Sequence, residues 1–116
     1  MLKNNKKNYK VDNAFCDTVD RVVEISEKKH ITVILGILLL EGPKYFGELR
    51  REIKCISAKT LAARLKLLEF HKIIFRKIEA HGKVRKVLYE LTQKGVAFYK
   101  VMKTMKEWGD IIFETK

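Results

Sequence analysis

Apolar positions recur at helical spacing in several stretches of this chain and alternate in one, and that pattern predicts the elements. Between positions 11 and 27, Phe15, Val19, Val22 and then Ile25 or Ser26 stand three or four residues apart, with Asp17, Asp20 and Glu24 elsewhere. This is the spacing of a first amphipathic helix. Ile31–Leu40 is apolar nearly all round and reads as a buried central helix. Gly42-Pro43 ends it, because proline pushes the residue before it out of the helical region. Lys44-Tyr45 is long enough only for a brief strand. Phe46, Leu49 and Ile53 mark the inner side of a short helix, and Lys54 to Ile56 form a turn. Leu61, Leu65 and Leu68 then give the inner stripe of a longer helix ending at Phe70, with Ser57 placed to cap it.

Beyond Phe70 the period changes. Ile73–Glu79 is rich in β-formers, and Val84–Leu91 largely alternates, with Ala80-His81-Gly82-Lys83 supplying the glycine of a tight turn. Thr92 caps a last helix running to about Glu114. Its apolar residues, Phe98, Val101, Met102, Met105, Trp108, Ile112 and Phe113, exceed what a small domain needs for its own core. With the first helix they predict a homodimer, since aromatic residues and Met are enriched at interfaces; the plainer alternative is that both helices fold back on their own core.

The fold class that follows is mostly α with a small β-hairpin (α+β): a winged helix-turn-helix with N- and C-terminal dimerisation helices. The helix-turn-helix occupies 46–70, the wing 73–91 and the last helix 92–114, all in one domain from 11 to 116. Residues 1–10, with Lys3, Lys6, Lys7 and Lys10, read as a mobile basic arm. At 116 residues the chain is long enough for one domain with a core of its own.

Charge sharpens this picture. The formal net charge is +11, and residues 43–86 hold thirteen Lys/Arg against four Asp/Glu, so the excess sits on the helix-turn-helix and wing. A concentrated basic surface fits a polyanionic partner, here double-stranded DNA. The apolar run of ten residues is too short to span a bilayer, and the N-terminus has no apolar signal core. No membrane partner and a cytoplasmic, nucleoid-associated location are therefore expected. Cys16 and Cys55 form no CxxC pair, and His30, His71 and His81 lack ligand spacing, so neither metal nor cofactor is expected. No nucleophile–base set or glycine-rich phosphate loop stands out, so the chain does not read as an enzyme.

The candidate DNA-binding residues fall in two groups. Ser57, Lys59, Thr60 and Arg64, on the second helix, are the candidate groove readers: arginine can bond guanine O6 and N7 together, and threonine can touch a thymine methyl. Arg50, Arg51 and Lys54 at the entry to the turn, and Arg76, Lys77, Lys83, Arg85 and Lys86 along the hairpin, need only be long cations near phosphates. Alternation sends Lys83 and Arg85 to one face of the hairpin and Lys86 to the other. The bland alternatives are a solvated helix face and charges that keep an edge strand from pairing.

Residues 42–109 resemble the HxlR-type winged-helix transcription regulators. The resemblance rests on Gly42-Pro43-Lys44-Tyr45-Phe46-Gly47-Glu48-Leu49-Arg50, on Ile56-Ser57 followed by Leu61, Leu65 and Leu68-Glu69, on Tyr89-Glu90-Leu91-Thr92-Gln93-Lys94-Gly95 and on Trp108. PadR- and MarR-like winged helices are neighbours. The resemblance implies homodimers that bind operator DNA, joined by their terminal helices. It also makes Cys16 a candidate redox sensor, although Asp17 stands where the family has proline; a small buried hydrophobe is the other reading of Cys16. Lys72 stands where the family has a glycine after the recognition helix. Three functions are carried forward: a sequence-specific DNA-binding regulator, a protein-interaction module on a winged-helix scaffold, and a sequence-neutral architectural DNA binder.

Overall fold

The computed structural model describes residues 13–114, and the arm expected at 1–10 lies outside them. The chain divides into two compact units, one ending at Thr32 and one beginning at Val33. The first contains α1 (Asn13–Ser26), on which Phe15, Val19, Val22 and Val23 are exposed. Ser26 Oγ donates to the Val22 carbonyl at 3.0 Å, and His30 takes a left-handed φ of 76° in the turn before α2 (Ile31–Glu41).

The second unit is mostly helical with a small antiparallel sheet. After α2 come β1 (Lys44–Tyr45), α3 (Phe46–Glu52), α4 (Ala58–Phe70), β2 (Ile74–His81), β3 (Val84–Leu91), α5 (Gln93–Val96) and α6 (Phe98–Phe113). The strand order is β1-β3-β2, with Tyr45 opposite Leu88 and Ile74 opposite Leu91. Ile34, Leu35, Leu38, Leu49, Ile53, Leu61, Leu65, Leu68 and Ile74 form the buried core, so α2, the α3–α4 pair and the sheet share one interior. This is a winged helix-turn-helix. α2 is less enclosed than its all-round apolar sequence suggests, because Val33 and Leu40 remain exposed.

Two junctions hold the wing's base. At the end of α4, the Ile73 N–H donates to the Leu68 carbonyl and the Lys72 N–H to the Glu69 carbonyl, both at 2.9 Å. These bonds satisfy the helix's last acceptors in a Schellman motif, which needs a left-handed residue just past the helix. Lys72 is that residue, with φ 59°. A side chain there costs about 1–2 kcal/mol, partly offset because glycine loses more chain entropy on folding. Lys72→Gly is accordingly expected to raise stability by about 0.5–1 kcal/mol, read as a higher urea midpoint; an unchanged or lower midpoint would contradict this.

The second junction is the Thr92 turn. Thr92 Oγ accepts the Gly95 N–H at 3.2 Å and donates to the Lys72 carbonyl at 2.7 Å, while the Thr92 N–H bonds the Ile73 carbonyl at 3.0 Å. The segment expected as one helix from Thr92 is two, with Ala97 between α5 and α6. The break follows from Gly95, which is drawn in against Ile73 and redirects the chain. Near its middle, α6 meets α2 where Met102 Cε approaches Gly36.

Candidate nucleic-acid interface

The geometry of α4 decides which of its side chains reach outward. Ser57 caps it, accepting the Thr60 N–H at 3.0 Å and donating to Thr60 Oγ at 3.0 Å. The Ser57 and Thr60 hydroxyls are thus engaged with each other at the helix N-terminus. Leu61, Leu65 and Leu68 are buried, and at 100° per residue the opposite side carries Lys59, Ala63, Lys66 and Phe70. All four are exposed, as is the adjacent Ala62. Two alanines between two lysines give a face whose backbone can approach a groove floor closely. Thr60 and Arg64 lie on the flank and are half-buried, as is Leu67. Lys66, Ala62 and Ala63 were not among the expected readers, yet the leucine stripe already placed 59, 63 and 66 opposite the core. Phe70, 78% exposed, packs edge-on to the His71 ring at the far end.

The elements around α4 add the remaining cations. Arg50 and Arg51 are exposed in the last turn of α3, where they complement the helix dipole. Lys54 is exposed in the turn, next to Cys55, whose φ of 64° is left-handed. Lys44 is not part of this surface. It bonds Glu41 at 2.9 Å and Glu52 at 3.0 Å, and those bonds hold its ammonium above the usual lysine range.

In the wing, pairing of Arg76 with Tyr89 and of Ala80 with Arg85 puts both arginines on the face of buried Ile74 and Tyr89, the one toward α4. Lys77 and Lys86 share the other face with Glu79 and Leu88. Gly82, φ 66°, and Lys83 form the two-residue loop at the tip, with glycine in the first place as a type II′ turn prefers. Lys86 Nζ lies over the Tyr45 ring, 5.1 Å from its centre, and the Tyr45 hydroxyl donates to Glu79 Oε1. That bond holds the Glu79 carboxyl below and the Tyr45 phenol above their ordinary values. Between α4 and the wing runs an open groove lined by Ala62, Lys66, Glu69, Phe70, Arg76 and Tyr89.

The expected site residues therefore fall into three places: the outer face and cap of α4, the α3–α4 turn, and the two faces of the wing. Cys16 lies apart from these, half-buried on α1, and Cys55 is exposed in the turn. Among the described residues no cluster of three His, Cys, Asp or Glu could hold a metal, and no helix is long and apolar enough to cross a membrane.

A family model described as HxlR-like helix-turn-helix matches residues 24–116. The chain belongs to this family. Among its relatives, the HTH-type transcriptional regulator YodB of Bacillus subtilis is 37% identical over 98 residues, covering 84% of this chain and 86% of YodB. The reduced form of YodB superposes with a TM-score of 0.73 at 35% identity, over 80% of this chain and 89% of that one. The redox regulator HypR in its reduced form gives a TM-score of 0.71 at 27% identity, covering 84% and 99%. A protein from Enterococcus faecalis V583 ascribed to the MarR family of transcriptional regulators shares the fold, with a TM-score of 0.77 at 23% identity over 90% and 92%. The relatives of this HxlR-like chain are thus transcriptional regulators, and the fold extends to MarR-type neighbours.

Proposed function

We propose that this HxlR-like protein is a homodimeric transcription regulator that binds double-stranded DNA at preferred sites. The observation that carries the reading is the outer face of α4. It is exposed, small at Ala62 and Ala63, basic at Lys59 and Lys66, and flanked by Arg50, Arg51 and Lys54 on one side and the wing arginines on the other. A helix of this kind enters the major groove while the flanking cations meet phosphates. Arg76 and Arg85 face the same side as α4 and suit the strand that passes between helix and wing; Lys83 at the tip suits the flanking backbone.

The dimer reading rests on α6. Val101, Met105, Trp108 and Ile112 follow one another at helical spacing and are all exposed, Trp108 at 63%. An apolar stripe of this size on a helix is what a subunit contact covers. α1 carries a stripe of the same kind. Cys16 is given no switching role in this reading: it is half-buried, its neighbours Asp17 and Asp20 are acidic, and a reactive thiolate needs positive charge beside it.

Selection of bound sites from random duplex DNA tests the reading. The expected outcome is a two-fold repeated motif with half-site centres about 34–36 Å apart or a multiple of that, bound by a species that sediments as a dimer. Trp108→Glu should yield a monomer that binds the same sites more weakly. Recovery of DNA without a shared motif would favour a sequence-neutral architectural binder, and failure to retain any DNA would favour a protein-interaction module.

A further inference from the structure

β1 pairs only with the base of the wing, Lys44 with Tyr89 and Tyr45 with Leu88. Toward the tip, the hairpin is held by its own β2–β3 ladder, and a two-stranded ribbon alone is marginally stable in water. One side chain reaches past that limit. Tyr45 immediately precedes α3, and its backbone N–H donates to the Glu48 carboxylate at 2.9 Å, which ties it to the start of the helix-turn-helix. Its hydroxyl crosses to Glu79 on β2, thirty-four residues away, and its ring lies beneath Lys86 on β3. Glu79 and Lys86 are themselves cross-strand partners, one step nearer the tip than the row of Lys77 and Leu88. The three groups share one face of the sheet and join all three strands.

We infer that Tyr45 is a positioning residue that sets the pitch of the wing against the helix-turn-helix, and that Lys86 belongs to this bracket and not to the DNA backbone. The consequence for binding rests on the DNA reading above; the bracket itself does not. A wing with fixed pitch presents Lys83 and Arg85 at a defined distance from α4, whereas a loose one must be ordered on binding, which weakens affinity without removing any phosphate contact.

Tyr45→Phe removes the hydroxyl while keeping the ring and every charge. In the DNA-free protein, amide exchange of wing residues beyond Lys77 should quicken by about three- to tenfold, the effect of one net hydrogen bond, with the core amides unchanged. Affinity for a selected duplex should fall by a similar factor at an unaltered salt slope. Lys86→Gln should likewise leave the slope alone, whereas Arg85→Gln should lower it by about 1, the signature of a lost phosphate contact. Unchanged wing exchange in Tyr45→Phe, or a slope reduced by Lys86→Gln as much as by Arg85→Gln, would overturn the inference. If the wild-type protein binds no duplex, the DNA reading fails by itself, and the exchange measurement still decides the bracket.

Discussion

Replacing Gly95 by alanine should destabilise the protein by about 3 kcal/mol or more, at or beyond the upper end of ordinary overpacking effects. A Cβ at Gly95 would stand 2.3 Å from the Ile73 carbonyl oxygen, 2.8 Å from Leu91 Cδ2 and 3.2 Å from Leu91 Cβ. The nearest atom is backbone and cannot swing aside. That carbonyl is also held by the Thr92 N–H, so retreat would disturb the Thr92 turn and, through the adjacent Lys72 carbonyl, the end of α4. Gly109 provides the contrast. It lies inside α6 with nothing within 4 Å of its would-be Cβ, so Gly109→Ala should raise stability by about 1 kcal/mol through helix propensity. Urea titrations at one protein concentration read both changes. A mild effect of Gly95→Ala would mean that the turn yields more readily than its hydrogen bonds imply.

Affinity for a selected duplex should fall by about 10³–10⁵ between 50 and 200 mM salt if the dimer neutralises six to ten phosphates. The cations that stand outward are expected to carry this slope. Lys59→Ala and Lys66→Ala, on the exposed face of α4, should each lower it by about 1. Arg64 is half-buried on the flank of the same helix, so Arg64→Ala should change the slope less than either lysine. Lys44 is held between Glu41 and Glu52 and should not contribute. Fluorescence anisotropy across a salt series, run on each variant, gives the slopes directly. A flat wild-type response would remove the electrostatic basis for DNA binding.

Much of the scaffold is visible in local pattern. The Leu61, Leu65 and Leu68 stripe, the hydroxyls of Ser57 and Thr92, and Gly42-Pro43 each act over one or two helical turns, so their consequences can be read from neighbours in the chain. The hairpin is legible for the same reason: its two strands are joined by a two-residue turn, and glycine marks that turn. The HxlR-like motifs belong to the same class of information, because Ser57 and Gly95 stand where a cap and a close approach require them. Lys72 shows the limit within that class. Its position demands a left-handed residue whatever occupies it, and the chain meets the demand with lysine.

The interface was legible in outline and not in detail. Net charge placed the basic surface between residues 43 and 86, and the periodicity of α4 already marked Lys59, Ala63 and Lys66 as opposite to its core. Which cations remain available depends on partners distant in sequence or set by the turn of the backbone. Lys44 is taken by Glu41 and Glu52, and Lys86 lies over the ring of Tyr45, forty-one positions earlier. The bond between Tyr45 and Glu79 spans thirty-four residues, and the contact that excludes a side chain at Gly95 comes from Ile73. By itself, then, the sequence determined the elements, their caps and their order, because hydrophobic period and capping chemistry act over a few residues. Only the tertiary structure decided the pitch of the wing, the cations left for a partner and the intolerance of Gly95, because each depends on atoms that folding brings together from separate elements.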